Sequence, residues 1–157
     1  MGSEIGEFKI PAPGDSIRQN KVKMGTVTEA IDEMTKRAAE SGVTLQETPN
    51  GSSKQYGSIY TLKDTKGKIV EQLTINKYAN NKTSATLFKH GEIRYDNDGD
   101  GKFETLHQGM TFYNNESKPS MMHVQVIAVD HNGDGFVDGS EIEDEAQPAT
   151  SIIDYTF

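Results

Sequence analysis

Two short stretches place oxygen-bearing side chains at alternate positions and then a glycine. One is Asp96-Asn97-Asp98-Gly99-Asp100-Gly101; the other is Asp130-His131-Asn132-Gly133-Asp134-Gly135, continuing through Phe136, Asp138 and Glu141. Alternation lets a tight loop turn several oxygens toward one point, and the glycine permits the sharp bend that closes it. The chemistry such a cage serves is the holding of one hard, oxygen-seeking dication, and Ca²⁺ is the cation it suits. Three or four carboxylates in one loop repel one another: at ~4 Å a like-charge pair costs about 1 kcal/mol in water and about 4 kcal/mol at a surface-like dielectric. A loop kept only for its turn needs one Asp and one Gly, whereas a bound dication removes the repulsion and orders the loop. Two dications would halve the formal net charge of -8.

The second stretch resembles an EF-hand loop over its full twelve positions. The resemblance places Asp130, Asn132 and Asp134 at positions one, three and five, and Gly135 at six. It implies ligation by the Phe136 carbonyl at seven, by Asp138 through a water at nine, and by a bidentate Glu141 at twelve. Val137 at position eight is the apolar residue that pairs with a neighbouring loop in that family. The first stretch matches over Asp96, Asp98, Asp100 and Gly101, with the Lys102 carbonyl at seven, Phe103 at eight and Glu104 at nine. His107 stands at twelve, and imidazole is a poor ligand for a hard ion. The firm match is therefore the six-residue DxDxDG pattern, also found in bacterial calcium loops set between strands. Another carboxylate must close this site, with Glu104 the candidate, and its affinity is expected to be the lower of the two.

Other chemistries find little support. His90, His107, His123 and His131 have no zinc-like spacing. No Ser/His/Asp arrangement stands out, and no carboxylate pair is marked for acid–base work, so a catalytic role is not favoured. The chain has no cysteine, which excludes disulfides and thiolate metal sites. Residues 1–90 carry 13 Lys/Arg against 10 Asp/Glu, and residues 91–157 carry 3 against 14. An acidic half argues against nucleic acid and for cations or a basic protein surface. The chain shows no apolar run able to span a membrane and no signal-peptide core.

The elements that must position the loops follow from periodicity. With 33% hydrophobic residues, six Tyr and six Phe, the 157-residue chain is expected to bury one modest core within long polar loops. Residues 1–24 read as an extended tail, with a short strand near Phe8–Ile10, and 25–157 as a single α+β domain. Val27, Ala30, Ile31, Met34 and Ala38 form an apolar stripe at helical spacing over 27–41. Thr26 and Glu29 make a capping box before it and Gly42 a stop after it. Strand patterns follow at 43–47, 56–62, 69–78, 84–89, 92–95, 103–106 and 110–113, separated by turn residues. Residues 122–129 could be the helix entering an EF-hand, but Val124, Val126, Ile127 and Val129 are β-branched and favour a strand. A short helix over 140–146 and a closing strand over 151–157 complete an antiparallel meander with one amphipathic helix packed on it.

The function these features imply is a calcium-binding module, with two Ca²⁺ ions ordering the acidic half of a secreted or surface-associated bacterial protein. Two alternatives stand beside it. One is a calcium sensor that exposes a surface for a protein partner. The other is an enzyme or inhibitor domain whose scaffold Ca²⁺ stabilises. An extracellular setting is favoured over a cytoplasmic one.

Overall fold

The structure, a computed structural model, describes residues 11–146 and 153–157. Along the chain come α1 (Asp15–Gln19), β1 (Val22–Lys23), α2 (Val27–Ser41), β2 (Gln46–Pro49), β3 (Gly57–Lys63), β4 (Ile69–Lys77), β5 (Thr83–Lys89), β6 (Glu92–Asp96), β7 (Thr105–Tyr113), β8 (Pro119–Val129), β9 (Phe136–Val137), β10 (Ile142–Glu145) and β11 (Ile153–Thr156). Strands β2 to β8 form a continuous antiparallel meander. β10 and β11 lie end to end along the far side of β8, against Val126–Ala128 and Met121–Val124. The expected architecture, mostly antiparallel sheet with one main helix, is the one observed.

The helix begins and ends on its sequence signals. The Thr26 hydroxyl accepts from the Glu29 amide, and the Glu29 carboxylate accepts from the Thr26 amide. At the other end Gly42 turns left-handed (φ 68°), and the Val43 and Gly42 amides close on the Ala38 and Ala39 carbonyls. Its stripe buries Ala30, Met34 and Ala38 against Leu62, Leu73, Leu87, Leu106, Val126 and Ala128 of the sheet. Complete burial of side chains such as Met34, Leu73 and Leu106 contributes roughly 1.5–3 kcal/mol each. A smaller cluster lies on the opposite sheet face, around Phe88, Ile93, Met122 and Val124. β8 serves both because its register shifts between Val124 and Val126. One extra residue in a strand exchanges the faces its side chains point to.

Three expectations are corrected. Residues 11–24 are not an extended tail: they form α1 and β1, and Ile17 and Met24 are fully buried. The Gly14 amide donates to Glu145 Oε2 at 2.7 Å, and Arg18 pairs with Asp15 and Glu145, so apolar burial and charge pairing both dock this segment. The expected strand near Phe8–Ile10 lies outside the described residues. Residues 140–146 do not form a helix: a single 3₁₀ turn over Gly139–Glu141 gives way to β10. The capping signal there is real, with Asp138 as cap and Glu141 answering it. The helix stops after one turn because β10 pairs the backbone of β8, which would otherwise expose a row of unpaired amides and carbonyls. The strand expected at 43–47 begins later, at Gln46, because the Val43 amide is used in closing α2. Tyr155 and its neighbours form the closing strand over Ile153–Thr156, with residues 151 and 152 outside the described ones.

Candidate metal centres

Both acidic loops are entered from strands. Asp96 is the last residue of β6, and the loop returns directly into β7, with Tyr95 opposite Thr105. Asp130 follows β8, and its amide donates to the Glu104 carbonyl at 2.8 Å, so the second loop starts where the first one ends.

The two loops repeat one hydrogen-bond ladder. In the first, Asp96 Oδ2 accepts from the Gly101 amide at 2.9 Å, Asp98 Oδ1 from the Asp100 amide at 3.2 Å, and Asp100 Oδ1 from the Lys102 amide at 2.8 Å. In the second, Asp130 Oδ2 accepts from Gly135 at 2.9 Å, Asn132 Oδ1 from Asp134 at 3.1 Å, and Asp134 Oδ1 from Phe136 at 2.9 Å. The turns that make this possible use left-handed backbone at Gly99 and Gly101 (φ 72° and 85°) and at Gly133 and Gly135 (69° and 85°). A side chain at these angles is strained, which is why glycine recurs at the same two places.

The closing carboxylates are also equivalent in role. Glu141 Oε2 accepts from the His131 amide at 2.7 Å, and Glu104 Oε1 accepts from the Asn97 amide. In each loop, therefore, a glutamate from beyond the glycine reaches back to the second residue. Carboxylate oxygens of Asp96, Asp98, Asp100 and Glu104 lie within 4.8 Å of one another, as do those of Asp130, Asp134 and Glu141. Either group could hold a metal ion. Glu104 Oε2 and Asp130 Oδ1 are buried, with no hydrogen-bond partner among the described residues. A buried charged oxygen without a donor costs at least about 1–3 kcal/mol.

The electrostatics of the first loop are set by burial first, then by its hydrogen bonds and neighbouring charges. Burial pushes the Asp96 carboxyl up to about 6, against the pull of the Gly101 and Gly99 amides. Burial also raises Glu104, and the charges of Asp98, Asp96 and Asp100 add to the shift. Asp98 is held below its ordinary value, chiefly by the Asp100 amide. An acidic loop with one member pushed toward neutrality and another held below its ordinary value is short of positive charge, which a cation at its centre would supply.

Not every expected ligand is gathered. Asp138 turns away to cap the 3₁₀ turn, where its Oδ1 accepts from the Ser140 amide at 2.9 Å and from the Ser140 hydroxyl. The Ser140 hydroxyl is the first cause of its lowered pKa. Asn132 folds into its loop as Asp98 does in the other. Lys102 and Phe136, expected to offer carbonyls, stand beside Thr26 and Lys23 respectively. His107 plays no part in the first loop: it is buried between Tyr95 and Tyr155, with ring centroids at 4.9 and 5.1 Å. That burial pushes its pKa down to about 4.

Sequence reasoning missed the segment that lies against both loops. β1 pairs with β9, and Thr26 bridges to Lys102. A cleft of about 420 Å³ opens between the loops, lined by Lys23, Glu29, Asp98, Asp100, Asp134 and others. Nothing in the local pattern of residues 22–27 points to this placement, since its partners lie far along the chain. No family model, curated protein or solved structure matches this chain.

Proposed function

We propose that the chain is a calcium-binding module holding two Ca²⁺ ions, whose role is to order and brace the acidic half of the domain. One observation carries this reading: two acidic loops with the same hydrogen-bond ladder each keep a buried carboxylate oxygen that no donor satisfies. All-oxygen donor sets of this flexibility suit Ca²⁺, whereas Mg²⁺ demands tighter octahedral geometry and gives up water reluctantly. In the first loop the ligands are Asp96, Asp98, Asp100, Glu104 and the Lys102 carbonyl. In the second they are Asp130, Asn132, Asp134, Glu141 and the Phe136 carbonyl.

A bracing role is favoured over a sensor role by what surrounds the loops. A sensor of the EF-hand kind works by opening a pair of helices. Here strands of one sheet lead into both loops, and a strand cannot swing without breaking its ladder. Bracing by a cation fits a protein outside the cell, where weak calcium sites suffice. The expected setting remains a secreted or surface-associated bacterial protein.

Isothermal titration of chelator-treated protein tests the reading. Two Ca²⁺ ions should bind, and Mg²⁺ should compete poorly. Free Ca²⁺ at one hundred times Kd stabilises by about 2.7 kcal/mol per site, or roughly 5–10 °C in melting temperature for a domain of this size. No heat and no stabilisation at millimolar Ca²⁺ would sink the proposal.

A further inference from the structure

Residues 22–27 touch both loops through the same atom of each. On one side Val22 and Lys23 pair with Val137 and Phe136, and the Met24 amide donates to the Gly135 carbonyl at 2.8 Å. The segment then crosses over. The Gly25 carbonyl accepts from the Phe103 amide at 3.2 Å, Thr26 bridges to Lys102, and the Val27 amide donates to the Gly101 carbonyl at 2.8 Å. Gly101 and Gly135 are the sixth residues of their loops. Their amides hold the first aspartates, Asp96 and Asp130. One residue in each loop thus grips the cage with its N–H and this segment with its C=O.

The segment is anchored between these grips. Met24 is 1% exposed, and Gly25 turns left-handed at φ 78° so that the chain can change partners. From beneath, Arg94 Nη1 donates to the Lys23 carbonyl at 2.8 Å and the Met24 carbonyl at 2.6 Å. Arg94 lies on β6, two residues before Asp96. Thr26, at the far end, caps α2.

We infer that residues 22–27 form a strap that couples the two ion sites, so that an ion in one loop raises the affinity of the other. The inference rests on the reading of both loops as calcium sites. The physical basis is a shared element with two arrangements. Without an ion, carboxylate repulsion loosens a loop, its sixth residue shifts, and the strap loses its grip on that side. A strap freed at one end holds the other loop less well. An ion that orders one loop therefore supplies part of the ordering that the second ion would otherwise have to impose. Coupling of this kind between two sites falls in the range of about 5- to 150-fold, and the strap is the element whose equilibrium both sites bias.

A second connection also joins the loops, the Asp130 amide donating to the Glu104 carbonyl, so the experiment must separate the two. Calcium titration of the full chain, with amide exchange of Met24, Val27 and Phe103 followed by NMR, does this. Two variants disable the second loop: Glu141→Gln and, at an exposed position that leaves the core alone, Asp134→Asn. Either should lower the affinity of the first loop about tenfold and speed exchange at Val27, although neither residue belongs to that loop. Arg94→Met loosens the strap without touching a cage ligand. It should shrink the coupling to less than about threefold, well below the range for linked sites. Coupling that survives unchanged in Arg94→Met assigns it to the Asp130–Glu104 contact and overturns the strap. Two ions bound by the wild type, with the first loop indifferent to Asp134→Asn and Glu141→Gln, overturns the strap but leaves the calcium reading standing. No ion uptake by the wild type overturns both.

Discussion

In the first loop the carboxylate that answers the second residue's amide lies seven residues beyond it; in the second loop it lies ten beyond. The loops otherwise share the three rungs of the ladder, except that the Gly99 amide also donates to Asp96 Oδ1 while Asp130 Oδ1 has no such donor. The difference comes from how the chain leaves each one. The first loop returns at once into β7, so its closing group must be the residue just before that strand, Glu104. The second leaves through two residues of β9 and a 3₁₀ turn, which carries Glu141 back over the loop. A twelve-position cage therefore needs a turn at its end, and a hairpin that continues as sheet must close its cage three residues sooner. Two loops with one ladder can reach the same end by different routes because a carboxylate needs only to arrive, not to arrive from a fixed place in the sequence.

Disabling the closing groups should break the comparison most strongly. Glu104→Gln and Glu141→Gln should each weaken Ca²⁺ binding by about 100-fold or more at their own loop. A unit charge at ~4 Å is worth about 4 kcal/mol at a surface-like dielectric, and each 1.4 kcal/mol is tenfold. Calorimetry that finds Glu104→Gln harmless and His107→Gln damaging would show that the first loop closes through its twelfth position after all.

The next largest effect separates the loops by their surroundings. A methyl group on Gly99 would lie 2.5 Å from the Thr83 carbonyl oxygen, whereas one on Gly133 meets nothing within 4 Å. Both positions are left-handed. Gly133→Ala should cost about 1–2 kcal/mol from backbone strain alone, and Gly99→Ala about 1–3 kcal/mol more from the clash. Denaturant unfolding of the two variants measures this, and equal losses would mean that the first loop is free to move away from β5.

Asp138→Ala sharpens the contrast at the second loop. Losing the cap should cost about 1 kcal/mol in stability, while Ca²⁺ affinity should change by less than about threefold, roughly 0.6 kcal/mol. A loss of tenfold or more in titration would restore Asp138 as a ligand through water, as its spacing suggests.

The smallest effect concerns His107, which occupies the twelfth position of the first loop and serves the core instead. Its folded pKa, about 4, lies below the ordinary value of 6.5. The unfolded chain therefore binds the proton more readily between these values, so the stability from burying the neutral ring is complete above about pH 6.5 and is lost as pH falls toward 4. His107→Phe should flatten this part of the acid limb in thermal melts at pH 4–7 and leave calcium titrations unchanged. An acid limb identical to that of the wild type would mean the ring is not buried as described.

How much could be read from the residues varies with the range of the forces involved. Thr26, Glu29 and Gly42 marked the ends of α2 because capping acts within a few residues. The β-branched run at 124–129 marked a strand where an EF-hand would have a helix. Residues 140–146 carry a helix signal yet form a strand for the opposite reason: the cap at Asp138 is local, but the pairing of Ile142–Glu145 with β8 is not. Residues 11–24 follow the same rule, since Pro11, Pro13 and Gly14 speak for an open chain while Ile17 and Met24 are buried in a core that also holds Leu106, Val126 and Val137, far along the chain.

The sequence by itself determined the oxygen ladder of each loop, because alternation and two glycines act over six residues and need no partner. It also determined the helix and the meander, whose signals are periodic and whose turns are short. Tertiary structure decided which carboxylate closes the first loop, where His107 points, and which segment runs between the two cages. Those outcomes depend on the route of the chain after each loop and on a strand contributed from residues 22–27. Contacts of that range are set by the packing of the whole sheet, which no short window of sequence contains.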